Sequence, residues 1–206
     1  MLLTPQSIDR FPCEEPREER RLHLYHRGEI IPLDEGGLWQ VYRGLVQVST
    51  SHATGEEVLL GWAGPATFFG LWLTRLELYE AKALSDVYLR WFTLNEIQSS
   101  PALAQTVLDS TTRRLRQTEA ILAISGYRRV EERLSRLLGL LEADMGRATA
   151  AGMRLPVRFT HQTIANAIGT TRVTVTRLLG KLQRSGCISI DRDRHITINN
   201  NQFFRD

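Results

Sequence analysis

The chain has 206 residues, with 26 Lys and Arg against 23 Asp and Glu, enough length for two modest domains that each bury a core. The charge is uneven: residues 128–206 hold 14 basic and 7 acidic side chains, whereas residues 1–127 hold 12 and 16, so the positive charge that phosphate binding requires is concentrated in the C-terminal half. Cys13 and Cys187 are the only cysteines and lie far apart, which excludes a disulfide framework, a cysteine zinc site and a clustered iron–sulfur set. Leu2-Leu3 is too short for a signal sequence and no run of about 18 apolar residues exists, so a cytoplasmic chain with no membrane partner is expected.

Residues 1–21 are polar and carry Pro5, Pro12 and Pro16, and read as a loosely held arm. Residues 22–98 have the texture of an antiparallel β domain. Strand-like runs at 29–33, 38–42, 45–48, 58–62 and 87–92 are punctuated by Gly36-Gly37, Arg43-Gly44 and Thr54-Gly55. Ser99-Ser100-Pro101 then marks a helix start, because serine caps and proline suits the first turn. That helix is predicted from Ala102 to about Ser125, the whole unit spanning 99–126. One face carries Leu103, Val107, Thr111, Arg114, Thr118, Leu122 and Ser125, flanked by Ala104, Leu108, Leu115 and Ile121. Such a mixed face fits either solvent or a helix–helix interface that holds an anion against Arg114. Gly126 reads as a hinge. A second amphipathic helix follows, with Val130, Leu134, Leu137, Leu138 and Leu141 inside, and opens the last unit, 127–206.

Residues 160–182 are the most informative stretch. Ile164, Ala165 and Ile168 form a narrow apolar stripe, and Gly169 supplies a sharp turn. Thr171 occupies an N-cap position, after which Val175, Leu178, Leu179 and Leu182 recur at i, i+3, i+4 and i+7. Arg172, Val173, Thr176, Arg177 and Lys181 are left pointing outward. This is a helix-turn-helix pattern whose second helix can present arginines to base edges. Arg184-Ser185-Gly186 ends the helix, and 188–190 and 195–198 alternate apolar and polar around the charged tip 191–194, as the wing of a winged helix would.

A β-roll, a long helix, a hinge and a winged helix-turn-helix, in this order, resemble the CRP/FNR family of bacterial transcription regulators over residues 27–198. The decapeptide 171–180, TRVTVTRLLG, is similar to the recognition helix of the family's cyanobacterial nitrogen-control (NtcA) branch. The resemblance implies an α+β fold, with an N-terminal antiparallel β-roll resembling cyclic-nucleotide-binding domains, a dimerisation helix and a C-terminal DNA-binding domain. It further implies a homodimer on a palindromic double-stranded DNA site, with RNA polymerase as a further partner and no enzymatic activity. Arg172 and Arg177 would contact base edges with Val173 against the groove, Thr176 and Lys181 would share the outward face, and Thr160, Gln162 and Thr171 would hold phosphates.

For the effector, the resemblance separates the branches of the family. Phe69-Gly70-Leu71-Trp72 stands where cyclic-AMP binders carry a Gly-Glu pair, and Glu80-Ala81-Lys82-Ala83-Leu84 where they carry an Arg-Ser-Ala-type segment, so cyclic AMP does not fit. An iron–sulfur cluster lacks its cysteines, and His23, His26 and His52 have no assignable haem role. Phe69-Gly70 and the segment 114–119, RLRQTE, are similar to the 2-oxoglutarate site of the nitrogen-control branch. Arg114 would clamp a carboxylate and Glu119 orient it, with Arg75 the sole basic candidate in a shortened loop. The alternative is an effector-independent regulator with a vestigial pocket. A cupin-type enzyme is disfavoured because His23-Leu24-Tyr25-His26 has the wrong ligand spacing.

Overall fold

A computed structural model describes residues 21–52 and 55–199. Nearly all of the expected arm, Cys13, Thr54 of the Thr54-Gly55 turn and the last residues of the C-terminal unit lie outside the described residues. The elements run in chain order as β1 (His23–Tyr25), β2 (Gly37–Arg43), β3 (Val46–Ser51), β4 (Glu57–Ala63), β5 (Phe68–Phe69), a single 3₁₀ turn (Leu71–Leu73), β6 (Tyr79–Ala83) and β7 (Val87–Thr93). Then come α1 (Leu94–Ser99), α2 (Pro101–Ser125), α3 (Val130–Met145), β8 (Arg147–Thr149), β9 (Gly152–Arg154), α4 (His161–Ala167), α5 (Arg172–Arg184), β10 (Ile188–Ile190) and β11 (Ile196–Ile198).

Two antiparallel sheets, ordered β1-β7-β2-β5 and β4-β3-β6, face each other. Their alternating inward residues, among them Trp39, Val41, Val46, Val48, Val87 and Leu89, make the first core. The predicted strand at 29–33 is reduced to one bridge, Ile30 to Lys82. Pro32 has no N–H to give a ladder, which stops the pairing there. Three strands not predicted, β1, β5 and β6, complete the sheets. His23 is half-buried and stands edge-on to Trp39.

Ser100 caps α2 by accepting from the Leu103 amide, with Pro101 in the first turn, as its sequence suggests. Its buried side chains are Val107, Ser110, Ile121 and Ile124, so of the mixed face only Val107 is buried, and of its flank only Ile121. The Ser110 hydroxyl, inside the core, accepts from the Phe68 amide at 2.7 Å. Helix α3 buries Leu134, Leu137, Leu138 and Leu141 as expected, while Val130 is only partly buried. A single core then runs from Leu45, Leu59 and Trp62 of the β domain, through Ile121 and Ile124, to Ile164, Val175 and Leu178. The two halves therefore share apolar packing in addition to their own.

A polar node fixes this junction. Trp62 donates its amide to Gln117 Oε1 at 2.8 Å, and both its indole N–H and Gln117 Nε2 donate to Asp144 Oδ2, at 3.1 and 2.9 Å. Gly61, at φ +146°, makes room for it, since an added Cβ would stand 2.3 Å from Gln117 Oε1. Gly61→Ala is expected to lower unfolding stability by about 1–3 kcal/mol in urea titrations, from overpacking and backbone strain combined.

Candidate nucleic-acid interface

The helix-turn-helix forms as its local signals dictate. Thr160 caps α4 by accepting from the Thr163 amide, and Thr171 caps α5 by accepting from the Thr174 amide. Between them Gly169 takes the left-handed conformation, φ +59°, which a side chain would resist. Ile164, Ala165 and Ile168 are buried under Val175, Leu178, Leu179 and Leu182, so one face of each helix is fixed in the core. The opposite face of α5 stands clear: Arg172, Thr176 and Arg177 are exposed, and Val173 is 78% exposed. An isolated valine that far out of the core fits apolar contact with a thymine methyl. Gln162 is exposed and donates to Asn166 at 2.7 Å, and Lys181 is paired with Glu131 of α3 at 3.2 Å.

The wing is a four-stranded sheet, ordered β10-β11-β9-β8. The hairpin of β10 and β11 matches the sequence pattern, whereas the β8–β9 hairpin was not foreseen. Asp191 anchors the tip by accepting from the His195 amide at 2.8 Å and from Arg154 at 2.7 Å. Those two partners hold its carboxyl below the usual carboxylate range, so the anchor is present at neutral pH and fades as pH falls through that lowered range. Arg192 and Arg194 of the tip are exposed, and Arg194 acts electrostatically on His161 of α4.

The residues expected around an effector are dispersed. Phe69 is fully buried in the pairing of β5 with β2, opposite Trp39, and Gly70 lies against Leu38. Leu71 and Trp72 sit in the 3₁₀ turn, Trp72 half exposed, and Arg75 is exposed beyond it. Arg114 is half-buried and donates to the Tyr79 hydroxyl at 3.2 Å. It also lines a cavity of about 850 Å³ between the β domain and the C-terminal half, together with Arg43, Arg113, Gln117, Asp144 and Val157. Neither Phe69, Gly70, Leu71, Trp72, Arg75 nor Glu119 lines that cavity. Glu119 is five residues past Arg114, about 140° around the helix, and is exposed on another face. Among the described residues no group of His, Cys, Asp and Glu is placed to hold a metal ion, and no helix is long and apolar enough to cross a membrane.

Comparisons with known proteins carry the geometry to a family. The Crp-like helix-turn-helix domain matches residues 132–205. The regulatory protein CysR of Synechococcus elongatus is 36% identical over 181 residues, covering 86% of this chain and 83% of CysR. The chain belongs to the CRP/FNR family of transcription regulators. The global nitrogen regulator of the same organism is 32% identical, covering 87% of this chain and 86% of that protein. Among solved structures, a CRP-family transcriptional regulator of Thermus thermophilus superposes with a TM-score of 0.75 at 21% identity, covering 89% of this chain and 97% of that one. FixK2 of Bradyrhizobium japonicum superposes at 0.74 with 23% identity, covering 89% and 94%.

In this CRP/FNR regulator, sequence reasoning passed over two residues that the structure brings to the helix-turn-helix. Asn166 of α4 donates to Glu57 of β4 at 2.9 Å, tying the DNA-binding half to the β domain. His161 opens α4 and contacts Thr176 of α5 at 2.7 Å. Its signal was its position between Thr160 and Gln162, both of which were singled out.

Proposed function

We propose that this transcription regulator acts as a homodimer on a palindromic site of the nitrogen-control type, and that a dicarboxylate of the 2-oxoglutarate class modulates it through Arg114. The observation that carries the DNA reading is the face of α5, where Arg172, Val173, Thr176 and Arg177 project from a helix anchored by four buried aliphatic residues. Two such helices one helical turn of duplex apart, about 34 Å, would enter successive major grooves. Arg172 and Arg177 would read guanine O6 and N7, while Thr160, Gln162 and Thr171 would lie along the phosphates. The dimer is supported by a row of exposed leucines on α2, taken up below. The likeness to the global nitrogen regulator supports the choice of site and effector.

Arg114 is the residue through which an anion would act, because α2 touches β4, β6 and α3 and thus links the β domain to the DNA-binding half. A second reading, an effector-independent regulator, is favoured by the burial of Phe69 and by the bond Arg114 already makes to Tyr79. Fluorescence anisotropy on the palindrome, with and without millimolar 2-oxoglutarate, decides between them. The effector reading expects binding about 5- to 150-fold tighter with the metabolite, and loss of that gain in Arg114→Ala. Equal affinity with and without it selects the second reading, and no preference for the palindrome over a random duplex removes the first.

A further inference from the structure

Thr176 Oγ1 has one proton, and it goes to the Arg172 carbonyl oxygen at 2.9 Å. The same oxygen lies 2.7 Å from His161 Nδ1; while its proton stays on the Arg172 carbonyl, it accepts there and Nδ1 carries the hydrogen. In the neutral ring this leaves Nε2 bare, and Nε2 makes no hydrogen bond among the described residues. The Arg172 carbonyl, by holding the Thr176 proton, favours the tautomer with the hydrogen on Nδ1. A bare Nε2 can accept a hydrogen bond but cannot donate one to a phosphate oxygen. Only the imidazolium can do that while the Thr176 hydroxyl keeps its bond to the Arg172 carbonyl.

Cations surround this ring. Arg172 on α5, Arg194 at the wing tip and Arg158 just before α4 act on it together. Burial first, and then these three guanidinium groups in that order, hold the imidazole below its ordinary range, so it is neutral near pH 7 in the free protein. A duplex reverses the local field, since its phosphates neutralise the arginines and favour a positive ring.

Resting on the DNA reading above, we propose that His161 is a DNA-backbone contact that takes up one proton per protomer as the duplex binds. The proton comes from solvent and settles on Nε2, which then donates to a phosphate oxygen, while Nδ1 stays on Thr176. Because the bound state holds more protons than the free state, affinity rises as pH falls through the interval between the free and bound ring values. At pH values well above that interval His161 stays neutral and contributes no charge.

The test is anisotropy titration of the full chain on the palindrome and on a random duplex, between about pH 5.5 and 8 at constant ionic strength. Wild-type protein is expected to bind tighter by up to about 100-fold per unit fall in pH within the interval between the free and bound ring values, one proton entering at each of two protomers, on both duplexes, because a phosphate contact ignores sequence. His161→Gln should lose this slope and His161→Arg should bind tightly without one, whereas His195→Gln should keep it. Proton NMR of the His161 ring should show its titration moving upward on adding DNA. Unchanged slopes in His161→Gln, or a slope confined to the palindrome, would overturn the backbone contact. A wild-type protein that binds neither duplex at any pH would overturn the DNA reading and this inference with it.

Discussion

Leu115→Asp is expected to turn the protein into a monomer and to weaken its binding to a palindrome by at least about 100-fold. Helix α2 has two apolar stripes. One is used inside the chain, where Val107, Ile121 and Ile124 are buried. The other carries Leu108, Leu115 and Leu122, which remain 59%, 58% and 71% exposed. Their spacing of seven keeps them on one line, the pattern of a helix awaiting a second helix. Burying a leucine contributes about 1.5–3 kcal/mol, and a two-fold seam buries each position twice. An aspartate at the central position removes two such side chains and sets two like charges face to face, so a cost of several kcal/mol is expected. Sedimentation velocity should show one species at the monomer mass, with the thermal transition of the monomer preserved because Leu115 supports no internal core. A dimer that survives Leu115→Asp at micromolar concentration would sink the seam assignment.

The sequence made the C-terminal elements legible because their signals are local. Ser100, Thr160 and Thr171 cap helices within three residues of themselves, and Gly169 and Gly186 take left-handed turns that few other residues accept. The β domain was harder. Strand β6 has the sequence YEAKA, which alternates apolar and polar but spends two of its three apolar positions on alanine, a weak strand former, and is defined by pairing with β3 about thirty residues back in the chain. Strand β5 is two residues long, too short to carry a period, and the same holds in the C-terminal half for β8 and β9, three residues each, which were the elements missed there. Helix α1 did have a readable sign, a capping box between Thr93 and Glu96, which was passed over.

Helix α2 illustrates a different limit. Its ends were readable, yet its faces were not, because periodicity finds apolar stripes without saying which surface each one meets. The mixed face, read as solvated or as a helix–helix interface, is split: Val107 is buried under the β domain, the Thr118 hydroxyl lies within hydrogen-bond distance of the Leu60 and Arg114 carbonyls, and Leu122 faces outward. Leu108 and Leu115, read as flank, are the exposed row. Glu119 belongs to that row, four residues after Leu115 and three before Leu122, rather than to the neighbourhood of Arg114. An effector site assembled from segments distant in the chain depends on such assignments, which explains why its candidates came apart while the DNA-facing residues, contiguous on one helix, stayed together.

Arg172→Ala and Arg177→Ala should each cost about 2–6 kcal/mol in binding to the palindrome while leaving the fold intact. A bidentate arginine–guanine pair discriminates by about 1–3 kcal/mol, and a two-fold complex carries each pair twice. Both side chains are exposed, and Arg172 makes no side-chain hydrogen bond among the described residues, so neither substitution opens the core. Binding to a random duplex should fall only a few-fold, through the loss of one positive charge per protomer. The contrast between the two duplexes is the decisive quantity: equal losses on both would make these arginines phosphate contacts. Val173→Glu extends the same reasoning to preference. A carboxylate at that exposed position can accept from cytosine N4, which a valine cannot, so the favoured base pair at one step of each half-site should change rather than simply weaken. Binding measured across single-base variants of the palindrome should show the change at one symmetric pair of positions, and a uniform loss at every position would refute a direct reading of bases by the first turn of α5.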